Sequence, residues 1–182
     1  MISISESNMT FGPYKKENVC YVEKSKIYKN LGDGVQIVEF ILLLGSNLIF
    51  IEAKSSSPQP SSLEDNKKKR FEEFIKKEIS PKFLNSFNLF LSANLSILES
   101  NATDNVQLIE LDKFKNYRIK FYIVIKNHKE EWLSPIKNAL EVELLEYRKI
   151  WNIDINVLNE ELAIKYKLIQ PNCKRAPSAL RR

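Results

Sequence analysis

Hydrophobic and polar positions change rhythm several times along the chain, and each rhythm predicts an element. Val19–Val22 reads as a short strand, while the polar stretch Lys24–Leu31 fits either a short helix or an edge strand. Gly32-Asp33-Gly34 signals a turn. Val35–Leu44, rich in Val, Ile, Leu and Phe, reads as a strand buried on both faces. Gly45-Ser46-Asn47 marks the next turn and Leu48–Lys54 the second strand, so the two runs predict a hairpin. Ser55–Ser62 contains two prolines and cannot continue a strand in a sheet interior.

The period lengthens from Leu63. Phe71, Phe74, Ile75 and Ile79, then Phe83, Phe87, Phe90 and Leu91, recur at helical spacings. Ser80-Pro81 interrupts this pattern and predicts a kink, or a second helix with Ser80 as its cap and Pro81 in its first turn. Asn101–Asn105 reads as a loop, and Tyr117–Lys126 as a third strand. Lys129–Trp151 is amphipathic, with Leu133, Ile136, Leu140, Leu144 and Tyr147 on one face of a helix. Ile153, Ile155 and Val157 alternate as a final strand, and Asn159 is placed to cap a helix over Glu160–Leu168. The expected fold class is α/β, a mixed central sheet containing an apolar hairpin and flanked by helices. Residues 1–170 are expected to form one domain, and 171–182, with Lys174, Arg175, Arg181 and Arg182, a loose basic tail.

Composition narrows the chemistry. The 182 residues suffice for one domain with a core, and 43% hydrophobic with 28% charged residues is ordinary for a globular protein. The longest apolar run, broken by Gln36 and Glu39, is too short to span a bilayer, and the N-terminus lacks a secretion signal. The expectation is a cytoplasmic protein without a membrane partner, whose two cysteines, Cys20 and Cys173, are reduced thiols. His128 is the only histidine, so a zinc site built from several histidines is excluded. It reads as a loop residue, and Gln59 likewise. A net charge of +5 fits nucleic-acid contact without requiring it. Tyr14, Tyr21, Tyr28 and Tyr122 read as core rather than as platforms for stacked bases.

The apolar hairpin carries three charges, Glu39, Glu52 and Lys54. Alternation puts Glu52 and Lys54 on one face, with Cα atoms about 6–7 Å apart. With Gly45-Ser46 as a two-residue loop, Leu44 faces Asn47 and Glu39 faces Glu52, and opposed Cβ atoms lie about 4.5–5.5 Å apart. A slip of one residue would destroy the juxtaposition. Two carboxylates so close repel, and burying each costs several kcal/mol. One lysine offsets part of this; a divalent cation held by carboxylates, Mg²⁺ or Mn²⁺, would compensate both.

The run Val35-Gln36-Ile37-Val38-Glu39-Phe40, a turn, then Ile49-Phe50-Ile51-Glu52-Ala53-Lys54 resembles the core of the PD-(D/E)XK phosphodiesterase superfamily over roughly Val19–Val124. The resemblance implies a restriction-endonuclease-like core and a metal-dependent nuclease, with DNA the expected substrate rather than RNA. Glu39 and Glu52 would bind Mg²⁺ or Mn²⁺, and Lys54 would assist attack on the phosphodiester. A defence-system effector is one role found in that superfamily. The first acid is open: no Pro-Asp pair is present, and Asp33 competes with Glu39 for that place. Family members often carry a further N-terminal glutamate, for which both Glu17 and Glu23 stand. Lys67, Lys68, Lys69 and Arg70 are candidates for phosphate contact, weighed against a solvated helix face. Many such nucleases dimerise, so a homodimer or a controlling protein partner is left open. The competing expectation is a non-catalytic module on the same fold, binding nucleic acid or serving as a subunit of a larger complex.

Overall fold

A computed structural model describes residues 1–59, 64–98, 109 and 111–170. The expected Asn101–Asn105 loop, Cys173 and the basic tail lie outside the described residues.

The chain opens with a hairpin that the sequence pattern did not indicate, β1 (Ile2–Glu6) against β2 (Met9–Tyr14). Ser7 and Asn8 make its turn with φ of 50° and 58°, the positive values that favour a tight two-residue connection. After the short β3 (Val19–Cys20) and a helical turn at Val22–Lys24 comes α1 (Lys26–Lys29). The Ser25 hydroxyl accepts from the Tyr28 N–H, so this ambiguous stretch is helical.

β4 is Phe40–Leu44 and β5 is Asn47–Lys54. Residues 35–39 are not strand, which corrects the long strand expected from Val35. Side chains from a helix supply their partners instead. Ser86 Oγ accepts from the Val38 N–H at 2.8 Å, and Asn85 Nδ2 donates to the Gln36 carbonyl at 2.9 Å.

The long helical region is α2 (Asp65–Glu73), a wide π turn at Phe74–Ile79, and α3 (Ser80–Asn94). Ser80 is itself helical and makes no side-chain cap, contrary to expectation. The backbone widens before Pro81 rather than starting afresh, which suits a residue lacking an N–H. β6 (Arg118–Ile125) follows. The expected single helix over Lys129–Trp151 is two, α4 (Leu133–Glu143) and α5 (Leu145–Trp151), broken at Leu144. β7 (Asp154–Asn159) and α6 (Glu160–Lys165) complete the described chain, with Asn159 capping α6 as expected.

The five-stranded sheet runs β3-β4-β5-β6-β7. The β3–β4 and β4–β5 pairs are antiparallel, while the β5–β6 and β6–β7 pairs are parallel. The architecture is thus a mixed α/β sheet flanked by helices. In β5, Leu48 and Phe50 face one core with Phe83, Phe87, Phe90 and Phe121. Ile49, Ile51 and Ala53 face a second core, shared with Phe11 and Met9 of the N-terminal hairpin. Phe83 stacks on Phe121 at 4.7 Å between centroids, and Phe87 meets Phe50 edge-on at 5.8 Å. These contacts set the position of α3 on the sheet. All four tyrosines read as core are structural: Tyr14 and Tyr122 are buried, Tyr21 packs half-buried against the second core, and Tyr28 donates its hydroxyl to the Val35 carbonyl.

Candidate functional site

The hairpin pairs in the expected register, with Leu44 opposite Asn47 and Phe40 opposite Ile51. Extending it one step places Glu39, just before β4, opposite Glu52. Both carboxylates take the parity of Phe50 and Ile41, the face covered by α3. Glu52 is completely buried and Glu39 is 8% exposed. Lys54, two residues beyond Glu52, lies with its Nζ 3.5 Å from Glu52 Oε1 and 3.5 Å from Glu78 Oε2.

The surprise at the centre is Lys82. It directly precedes Phe83, so the stacking that seats α3 carries its ammonium to the acids. Its Nζ is 2.7 Å from Glu52 Oε1 and 3.9 Å from Glu39 Oε1. A second lysine, not expected from the sequence, thus joins Lys54 at the pair. Nothing in the sequence pattern isolates Lys82, since its spacing to Glu52 has no local meaning. The one available signal was a lysine embedded in the apolar periodicity of a helix packed on the acid-bearing face. Glu23 also arrives, from the helical turn after β3, and shares a hydrogen bond with Glu39. It is therefore Glu23, not Glu17, that joins the cluster. Asp33 stays exposed in its turn and enters none of the cluster's ion pairs, so of the two competing acids it is Glu39 that lies beside Glu52.

Burial is the dominant force on these groups. It pushes Glu39 up to about 8, reinforced by the neighbouring Glu52 and Glu23 charges, with Lys82 opposing. Burial also raises Glu52, although Lys82 and Lys54 both pull it down. For Lys82, burial works against the charge, but Glu52, Glu39 and Glu23 outweigh it and hold the ammonium above its ordinary range. Glu52 Oε2 is buried with no hydrogen-bond partner. Such an orphaned acceptor is costly, of order 1–3 kcal/mol or more for a charged group.

The donor set tests the expected metal. Among the described residues, no three of His, Cys, Asp or Glu form a ready metal cage. Glu39 and Glu52 nonetheless fit a hard divalent cation by donor type, and the orphaned Oε2 is an oxygen that a cation would satisfy. The positive charge standing at the pair is that of Lys82.

At the edge of the cluster, Lys54 and Glu78 line a cavity of about 560 Å³ together with Ser57, Gln59, Lys67 and Arg70; Glu39, Glu52 and Lys82 are not among its lining residues. Lys67 and Arg70 of the basic run thus share a wall with Lys54; Lys68 and Lys69 are exposed and outside it. Gln59, read as a plain loop residue, lines the cavity too. The turn of the N-terminal hairpin is pinned over the same end of the sheet. Ser7 Oγ donates to the Ala53 carbonyl at 2.9 Å, and Lys126 Nζ donates to the Asn8 carbonyl at 2.7 Å.

His128 follows β6 and is buried rather than exposed in its loop, at 7% exposure. Its Nε2 lies 3.3 Å from Ser57 Oγ, and burial lowers its pKa. It packs edge-on to Trp132 and takes no part in the carboxylate cluster. No described helix is long and apolar enough to cross a membrane. Set against known proteins, the chain matches no family model, no curated protein and no solved structure.

Proposed function

We propose that the chain is a metal-dependent phosphodiesterase acting on nucleic acid, DNA rather than RNA, and a divergent relative of the PD-(D/E)XK nucleases. The observation that carries this reading is the buried pair Glu39–Glu52 with Lys54 two residues on, all on one face where β5 leaves the sheet. The order of elements supports it. An antiparallel β3-β4-β5 meander is followed by a long helix and a parallel β6, as expected of a restriction-endonuclease-like core. Glu23, on an N-terminal helical turn, stands where that family often adds a glutamate. Ligands of open α/β sheets commonly bind at the carboxyl ends of parallel strands, and the cluster lies at such an end.

In this reading Glu39 and Glu52 hold Mg²⁺ or Mn²⁺. When bound, the cation supplies a Lewis acid that polarises a phosphoryl oxygen and acidifies a water. The phosphodiester approaches from the cavity, where Lys54, Lys67 and Arg70 meet its charge. Lys54 is poised between Glu52 and Glu78, and there it stabilises charge developing on the phosphate and orients the attacking water. Glu39, pushed up to about 8, holds a proton near neutral pH until a positive charge draws it off.

One observation favours a second reading, a non-catalytic nucleic-acid-binding module on the same scaffold: Lys82 already neutralises Glu52. Incubating the protein with plasmid, single-stranded DNA and RNA in Mg²⁺, Mn²⁺ or EDTA separates the two. Cleavage that requires metal and falls about a thousandfold or more in Glu52→Ala/Lys54→Ala is expected. Binding of these substrates with no cleavage in either metal would establish the second reading.

A further inference from the structure

The phosphodiesterase reading leaves Lys82 without a task, although it makes the shortest ion pair of the cluster, 2.7 Å to Glu52 Oε1. Its Nζ reaches toward both acids, standing 3.9 Å from Glu39 Oε1. A cation held by Glu39 and Glu52 would lie within a few ångströms of that ammonium. Like charges at such a distance repel strongly in a site shielded from water. The two positive charges therefore compete for the same oxygens.

The neighbouring residues show which group yields. Lys54 is tied outward by Glu78 at 3.5 Å. Glu52 is fully buried on a central strand and flanked by Ile51 and Ala53 in the second core. The backbone of Lys82 is held by the stacking of Phe83 on Phe121. Its side chain is a flexible four-carbon stem, 18% exposed, and so has a route to solvent. Lys82 also engages only Oε1 of Glu52, while Oε2 receives no donor and is an oxygen a cation would satisfy.

We propose that Lys82 is a resident counter-ion of the Glu39–Glu52 pair, which a divalent cation must displace to bind. The ammonium keeps the buried acids compensated in the empty protein and weakens its affinity for metal. This rests on the phosphodiesterase reading, and the test separates the failure of one from the failure of the other.

Calorimetric titration of Mn²⁺ into the intact protein, Lys82→Met and Glu52→Gln provides the first measurement. Lys82→Met keeps the apolar stem and removes the charge. It is expected to bind Mn²⁺ at least about tenfold tighter than the unaltered chain, with the site lost in Glu52→Gln. Equal or weaker binding by Lys82→Met, beside Glu52-dependent binding by the unaltered chain, overturns the role of Lys82 and leaves the phosphodiesterase reading standing. No Glu52-dependent Mn²⁺ binding by either protein overturns both. A second measurement needs no variant. In ¹⁵N-lysine spectra of the unaltered chain, the Lys82 ammonium resonance is expected to shift and exchange faster with water as Mg²⁺ saturates the site. A resonance unmoved at saturation overturns the proposal.

Discussion

Asn159 and Glu52 both stand near the carboxyl ends of parallel strands and both are buried, at 7% and 0% exposure, but their polar atoms are matched differently. Asn159 Oδ1 accepts from the Leu162 N–H at 2.9 Å, and its Nδ2 donates to the His128 carbonyl at 3.2 Å. Both functions of the amide are thus engaged by fixed backbone partners, without a net charge. His128 is settled in the same way, against Ser57 and Trp132. Glu52 instead has one oxygen shared between two lysines and the other left without a partner. A neutral hydrogen-bonded network is what a strand end needs to stop and turn. A partly matched cluster of buried charges is more than folding asks for, and buried ion pairs contribute little net stability over well-packed apolar groups. The contrast separates a polar patch matched within the fold from one whose buried charges are only partly matched.

The comparison breaks most visibly at Lys82. Lys82→Ala leaves the buried Glu52 charge only its longer 3.5 Å contact with Lys54 and is expected to cost about 3 kcal/mol, read as a shift in the urea midpoint at neutral pH. A loss below about 1 kcal/mol would mean that Glu52 is already neutral.

pH probes the next effect. Glu39 keeps its proton up to about 8 in the folded chain, whereas the ordinary carboxyl releases it near 4.5. The folded state therefore binds more protons between these values, and stability falls as pH rises across them. The slope reaches at most about 1.4 kcal/mol per pH unit. Glu39→Gln is expected to flatten this decline in denaturation curves taken from pH 5 to 8. An unchanged slope would assign the proton to another group.

The smallest effect belongs to the neutral patch. Asn159→Ala removes the cap of α6 and is expected to cost about 1 kcal/mol, while metal-dependent cleavage stays within about twofold of the unaltered chain. Loss of cleavage without loss of stability would tie this patch to the chemistry and erase the distinction drawn above.

Much of the hairpin follows from local information. Gly45 and Ser46 close the turn, the turn sets the register, and the register from Phe40–Ile51 to Leu44–Asn47 points Glu39, one step beyond it, toward Glu52. The strands β6 and β7 and the cap at Asn159 are written in alternation and in one side chain, again within a few residues. The end of β4 is not local: residues 35–39 leave the sheet because Ser86 and Asn85, nearly fifty positions later, take up their backbone groups. The break between α4 and α5 is equally invisible to periodicity, because Leu144 stays on the buried face while its backbone departs from the helix.

Sequence alone thus determined which residues of the hairpin share a face, since strand parity is a property of neighbours. Only tertiary structure decided what that face meets. Lys82 reaches Glu52 because Phe83 stacks on Phe121, and Glu23 reaches Glu39 because β3 pairs with β4. These placements depend on packing between elements far apart in the chain, where no spacing rule applies.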